Sequence, residues 1–309
     1  MPIHADQQQD PSGVNAESGI HRHETEKVAI QSVVGESDVV LTWGIPSLKP
    51  RLANFCGHVI AMSHGASDWT ELVLKDSVSR ASAYVAVSMA AVAAFPDSYR
   101  RKVTTLPPGI ELDRIAPARA RSEFRTHLGL TPQQKAIGYI GRFSDEKNPL
   151  QTARIVGSLD DGYVAVYYGA RLWGDSDFRA QVTKLCGHRV RFIGPEVHAG
   201  DVYAALDCLV QASPSEGGPL VAVEAWLSGL PLVSTPVGVV ADELANGREW
   251  GCIVPYAAPL SEWRAAVVSA CSADSWALAQ TIRQSAVEYY SAAAMARRWE
   301  TYLSGLCQH

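Results

Sequence analysis

What most constrains this chain is an alternation of short apolar runs with longer helical stretches. The runs 136–140 (AIGYI), 163–168 (YVAVYY), 190–193 (VRFI), 208–211 (CLVQ), 231–234 (PLVS) and 251–254 (GCIV) have strand length and are bounded by turn or helix signals. Between them lie helical patterns at 149–159 (PLQTARIVGSL), 177–186 (DFRAQVTKLC), 200–207 (GDVYAALD) and 218–229 (GPLVAVEAWLSG). Runs that are apolar throughout, rather than at every second position, belong to strands buried on both faces. Helices between such strands make βαβ units of a parallel sheet. A second series, 38–42 (DVVLT), 58–62 (HVIAM), 84–88 (YVAVS) and 102–106 (KVTTL), has the same character in the N-terminal part. The pattern predicts an α/β fold with two parallel sheets. The Pro-rich, aperiodic segment 107–117 (PPGIELDRIAP) is the natural boundary. It separates a first domain at 28–117 from a second at 118–290, and 291–309 contributes a closing helix (SAAAMARRWETYL). Residues 1–27 are polar and expected to form a disordered tail.

Composition narrows the class. Of 309 residues, 47% are hydrophobic and 19% charged, which is enough apolar material for two cores. Lys and Arg number 27 against 32 Asp and Glu, a net charge of -5. A broad face for polyphosphate backbones leans the other way, so nucleic acid is not the expected partner, while a small anionic ligand is untouched by this argument. The longest uncharged apolar stretch, 81–95, is shorter than the ~20 residues a transmembrane helix needs. No signal pattern opens the chain. The 6 cysteines, Cys56, Cys186, Cys208, Cys252, Cys271 and Cys307, are never close enough in sequence to suggest zinc ligation or a disulfide framework. That usage fits a reducing compartment, and the expected location is the cytoplasm. His21 and His23 lack a third ligand in a fixed element, so no metal site is expected. The run Tyr99-Arg100-Arg101-Lys102 leaves room for peripheral contact with an anionic membrane or acceptor, and equally reads as a solvated turn.

In open parallel sheets, ligands bind beyond the carboxyl ends of the strands. Two loops there carry chemistry. The first, 141–149 (GRFSDEKNP), puts Arg142 and Lys147 beside a helix whose first turn tolerates Pro149. Helix N-termini attract anions, and Arg and Lys suit phosphate, but Asp145 and Glu146 in the same loop could simply neutralise both cations. The second loop, 212–219 (ASPSEGGP), offers Gly217 and Gly218 for close backbone approach and Pro219 to start a helix. Glu224 then sits among Val221, Val223, Ala225 and Leu227, where an ionised carboxylate is costly unless hydrogen-bonded. Ligand hydroxyls would satisfy it; the helix dipole near its N-terminus is the alternative reason for its presence. Glu224 lies about 7.5 Å along the axis from the helix start at ~1.5 Å per residue. Glu216 and Glu224 are therefore placed to grip different hydroxyls of an extended ligand. They do not suit a retaining glycoside hydrolase, whose carboxyls flank one bond at ~5–5.5 Å.

The segments GRFSDEKN, VRFIG and SPSEGGPLVAVEAWLSGLPLVSTPVG, in this order and spacing, resemble family 4 glycosyltransferases of the GT-B fold, whose Glu-x7-Glu motif Glu216 and Glu224 match. The resemblance is strong over 100–255 and weaker over 38–100 and 255–303. It implies a GT-B-like pair of Rossmann-like domains, the N-terminal one truncated. The implied activity is metal-independent, front-face, retaining transfer of a sugar from a nucleotide-diphosphate donor, UDP- or GDP-linked, to an unidentified acceptor, with no cofactor. By the same resemblance Gly141, Arg142 and Lys147 would hold the diphosphate, and Glu224 the ribose hydroxyls. Glu216, with Gly217, Gly218, Pro219 and Leu220, would hold the donor sugar and its phosphate, and Gly194 and Val197 would flank the base. AMSHGASDW resembles the family's strand ending in a His-Gly pair, making His64 the histidine that faces the donor sugar. A lone strand-end histidine also has a purely structural reading.

The chain departs from the family in its short first domain, which lacks opening strand–loop–helix pieces on the acceptor side. The alternative is therefore a nucleotide-sugar-binding or regulatory protein of the same fold with impaired catalysis. The shortened sheet needs cover from the tail, the closing helix or a second subunit. Asp242 and Glu243 stand where the family has an acidic residue, with no basis in the sequence for choosing between them.

Overall fold

The computed structural model describes residues 39–42, 55–65, 70, 71, 74, 78, 79, 81–169 and 175–306. The expected tail at 1–27, with His21 and His23, lies outside the described residues.

The first sheet has four parallel strands, β1 (Val39–Thr42), β2 (His58–Ser63), β3 (Ala83–Ala86) and β4 (Val103–Thr105), in that spatial order. The apolar stretch 81–95 breaks inside this sheet rather than running on as one helix. It forms β3, then turns at Ser88, whose Oγ accepts the Ala91 N–H at 3.1 Å and caps the short helix Met89–Val92.

The second sheet contains β5 (Lys135–Ile140), β6 (Tyr163–Tyr168), β7 (Val190–Ile193), β8 (Cys208–Gln211), β9 (Leu232–Ser234) and β10 (Cys252–Ile253). All pair in parallel, in the order β10-β9-β8-β5-β6-β7. The chain winds outward from β5 to β7, returns to the centre at β8 and winds outward the other way. This is the doubly wound order, with its reversal between β5 and β8. β8 is buried at every position, as a central strand requires. On β5, a Cβ at Gly138 would stand 2.2 Å from Leu206 Cδ1, so the strand can take this packing only with glycine there.

Both faces are covered. Helices Ala199–Ala205, Leu220–Ser228 and Ala273–Tyr290 close one side around Tyr203, Trp226, Ile282 and Tyr290. Helices Leu150–Gly157, Asp175–Cys186 and Leu260–Ala270 close the other around Ile155, Val182 and Trp263. Leu260–Ala270 and Ala273–Tyr290 are helices beyond those the sequence pattern predicts. Beneath the sheet, buried Asp207 accepts hydrogen bonds from the Ala136 N–H (2.8 Å), Arg121 Nη2 and Arg125 Nη1 (both 2.9 Å). Helix Arg121–His127 is thereby fastened to the starts of β5 and β8.

The boundary segment 107–117 is not loose. Ile110 and Ile115 are buried in the second domain's core, and helix Leu112–Ile115 forms within the segment. The Ile110 N–H donates to Tyr290 O and the Ala292 N–H to Ile110 O, both at 2.9 Å, so the two crossings between domains run side by side. Helix Ala292–Leu306 then lays Trp299, Tyr302, Leu303 and Leu306 on the first sheet's core, supplying cover from the closing helix. Arg100 bonds to Asp97 at 2.6 Å and to the carbonyls of Phe95 and Ala93 at 2.8 Å, which favours the solvated-turn reading of 99–102. Among the described residues, no helix is long and apolar enough to cross a membrane.

Asp207→Ala would leave Arg125, only 8% exposed, without its carboxylate. Breaking a buried pair from one side costs about 3–5 kcal/mol, and equilibrium urea unfolding is expected to show a loss of that size.

Candidate active site

Where strand order reverses, the helices following β5 and β8 depart to opposite faces and leave a crevice. The loops 141–149 and 212–219 leave these two strands. His64 after β2, Val87 after β3 and Pro108 after β4 face them from the first domain. Together they enclose a cleft of about 620 Å³. The sequence-predicted residues His64, Gly141, Arg142, Lys147, Glu216, Gly218, Pro219 and Leu220 all line it.

Lys147 ends a single 3-10 turn, Asp145–Lys147, and Asn148 follows in the left-handed conformation (φ 46°). Asn148 Nδ2 donates to the Ala212 carbonyl at 3.2 Å, clipping one loop to the other. Lys147 Nζ reaches both oxygens of Glu216, at 2.5 and 2.6 Å, and Ser213 Oγ donates to Glu216 Oε1 at 2.9 Å. An ammonium has three donors, so one is left for a ligand. Arg142 pairs with Glu146, but both are more than half exposed (53% and 58%). Such a pair contributes ~0–1 kcal/mol and is readily exchanged for a multiply charged anion. Thus the neutralising contact foreseen within loop 141–149 exists for Arg142, whereas Lys147 turns across to the other loop. Below them Tyr139 donates to the Arg142 carbonyl at 2.5 Å. Burial, reinforced by the Glu216 charge, pushes its phenol well above the usual range, so it remains a donor.

Helix Leu220–Ser228 begins at Pro219, which has no N–H to offer an anion. The first intrahelical donor is the Ala222 N–H, to Pro219 O at 3.0 Å. Leu220 and Val221 therefore supply the N-terminal amides at the cleft, where helix geometry favours negative charge. Gly217 is packed into the seam between domains. A Cβ there would stand 2.1 Å from the His64 carbonyl oxygen and 2.8 Å from Gly65 Cα. Its own carbonyl accepts from the buried Ser88 Oγ. Alongside, the Met89 N–H donates to the Asp242 carboxylate at 3.0 Å. Asp242 is thus a seam residue. Glu243 instead turns into the core, accepting from Tyr290 OH at 2.5 Å and pairing with Arg248. Burial lowers the pKa of His64, favouring a neutral imidazole.

Glu224, Gly194 and Val197 do not line this cleft. Glu224 is 3% exposed; its Oε2 accepts from Tyr203 OH at 2.5 Å, and Arg114 Nη2 lies 3.2 Å from its Oε1. One hydroxyl for the buried carboxylate, on Oε2, thus comes from within the protein. Burial raises its pKa, opposed by the Tyr203 hydrogen bond and the Arg114 charge. The Val197 carbonyl accepts from Tyr168 OH at 2.9 Å, and a Cβ at Gly194 would meet Glu196 Oε2 at 2.1 Å. These residues form a neighbouring cluster around Tyr168, which feels the charges of Arg114, Glu224 and Glu196. Ser88, Arg114, Tyr139, Asn148 and Ser213 escaped the sequence reading. All but Ser213, whose hydroxyl reaches Glu216 three residues on, are isolated polar residues whose partner is remote in sequence or is a backbone atom.

Gly217→Ala forces the loop away from the His64 strand end. Overpacking of this kind costs about 1–3 kcal/mol, to be read in thermal unfolding of the variant.

Residues 134–272 match the family model described as "Glycosyl transferases group 1". Among curated proteins, the chain is 28% identical over 194 residues to a D-inositol 3-phosphate glycosyltransferase of Mycobacterium marinum, covering 61% of this chain and 41% of that protein. It is 33% identical over 139 residues to the putative teichuronic acid biosynthesis glycosyltransferase TuaC of Bacillus subtilis (45% and 34% covered). It is 30% identical over 157 residues to the lipopolysaccharide core biosynthesis mannosyltransferase LpsB of Rhizobium meliloti (47% and 44% covered). The matches thus span less than half the length of these relatives. Among solved structures, Anabaena Alr3699/HepE in complex with UDP and glucose aligns with a TM-score of 0.78 at 18% identity, over 90% of this chain and 81% of that one. The sucrose-phosphate synthase of Thermosynechococcus elongatus aligns with a TM-score of 0.73 at 18% identity, over 97% and 82%. The fold is therefore the paired Rossmann-like arrangement of GT-B glycosyltransferases.

Proposed function

We propose that the chain transfers a sugar from a UDP- or GDP-linked donor to an acceptor, with retention at the anomeric carbon and without a metal ion. The observation that carries this reading is the convergence of Arg142, Lys147 and the N-terminal amides of helix Leu220–Ser228 on one cleft, with Glu216 beside them and His64 opposite. As the bond from the anomeric carbon to the diphosphate oxygen breaks, negative charge grows on the leaving group. Two cations and a helix N-terminus aimed at that position stabilise it where it develops. The departing phosphate oxygen takes the proton of the attacking hydroxyl on the same face, so the new bond forms on the side from which the old one left. Glu216, held by Lys147 and Ser213, accepts from donor-sugar hydroxyls. A neutral His64 hydrogen-bonds the sugar without placing another positive charge beside the cationic anomeric carbon.

The glycosyltransferase activities of the curated relatives support the reaction class, and the complexes of Anabaena Alr3699/HepE with UDP and with UDP-glucose support the donor class. The free thiols of Cys186, Cys208, Cys252 and Cys271 suit a reducing compartment, and we place the reaction in the cytoplasm.

Thermal stabilisation by a panel of nucleoside diphosphates, followed by donor hydrolysis, tests the reading. UDP or GDP is expected to stabilise the chain, and Lys147→Ala to lower turnover by about 10²-fold or more. Stabilisation without any turnover would instead support a nucleotide-sugar-binding protein, and no stabilisation by any nucleotide would overturn both.

A further inference from the structure

We infer that Arg114 is a positioning residue for the nucleoside: it keeps the buried Glu224 carboxylate ionised and aimed, so that Oε1 is ready to accept a ribose hydroxyl. The inference rests on the donor-binding reading above.

Helix Leu220–Ser228 buries Glu224 among Ala222, Val223, Ala225 and Leu227. A carboxylate there is costly to ionise without donors. The groups that face it are few. From helix Ala199–Ala205, Tyr203 gives its hydroxyl to Oε2 at 2.5 Å, and burial beside Glu224 raises the phenol's own pKa, so it stays protonated. From β6, Tyr168 lies close enough to feel both Glu224 and Arg114, and Glu196 on the loop after β7 lies near the same tyrosine. Glu196 adds negative charge. Among the described residues, Arg114 is thus the one cation acting on the carboxylate, 3.2 Å from Oε1 and 61% exposed. Oε1 is buried and takes no hydrogen bond of good geometry, from Arg114 or any other described group. The guanidinium supplies charge while leaving the oxygen's acceptor capacity to an incoming hydroxyl. Its exposure lets it yield the space without disturbing a core.

Arg114 also comes from the crossing segment, four residues after the Ile110–Ser291 bridge. A side chain on the strap that joins the domains thereby acts on a second-domain carboxylate, beside burial and the Tyr203 hydrogen bond.

The test uses the full chain with Arg114→Ala and Arg114→Lys. In protein carrying ¹³C-carboxyl glutamate, the Glu224 signal, assigned by its loss in Glu224→Gln, should titrate at higher pH in Arg114→Ala and return toward the original midpoint in Arg114→Lys. UDP and GDP affinities by calorimetry should then fall about fivefold or more near pH 6 in Arg114→Ala, and less than about twofold near pH 8.5. An unmoved Glu224 midpoint overturns the inference. So does an affinity loss of equal size at every pH, which a merely structural role would give. Failure of the unsubstituted chain to bind either nucleotide overturns the donor-binding reading itself, and this role with it. Binding with an unshifted profile overturns this role alone.

Discussion

The constraint on which the site depends is the reversal of winding between β5 and β8. Parallel strands require crossover helices, and a sheet wound outward in both directions from its centre must send two neighbouring helices to opposite faces. The gap between them cannot be filled by the sheet's own side chains. Lys147 and Glu216 lie nearly seventy positions apart in the chain, yet they meet because their loops leave adjacent strands. Asn148 clips one loop to the other, so the charges are held by backbone geometry as well as by their mutual attraction.

The two domains meet on this same feature. Gly217 lies flat against the His64 carbonyl, receives the Ser88 hydroxyl and sits beside Gly238, where a Cβ would approach its oxygen at 2.7 Å. A loop that is to hold an anion on one side thus has the first domain against its other. The contact is made of main chain and small residues, so movement of the first domain would act on the loop directly. The closing helix and the paired crossings at Ile110 and Ser291 keep that domain within reach.

Buried carboxylates are used in two ways. Asp207 is fully engaged by two arginines and a backbone amide, an arrangement that fastens a helix and leaves nothing to offer a ligand. Glu224 has one strong donor, one exposed arginine at its side and an oxygen without a well-formed hydrogen bond. Both place a carboxyl group in an apolar interior. The difference is the number of donors that the fold brings to each.

The sequence by itself determined the strands of the second domain and the four helices at 150–157, 175–186, 199–205 and 220–228, because apolar runs such as AIGYI are satisfied inside a parallel sheet, and because loop residues such as Gly217 and Pro219 act through their own backbone. It likewise marked Arg142, Lys147, Glu216 and His64, which share the cleft. What it left open depends on partners distant in the chain. Nothing near Glu224 in sequence announces Tyr203 or Arg114, and nothing near Ser88 announces Gly217. The segment 107–117 lacks a period because its two isoleucines pack singly into a core rather than along one helix face. Only the tertiary structure decided whether each charge would be a seam, a strut or a ligand grip, since local pattern sets which face is apolar but not which remote donor will stand beside a carboxylate.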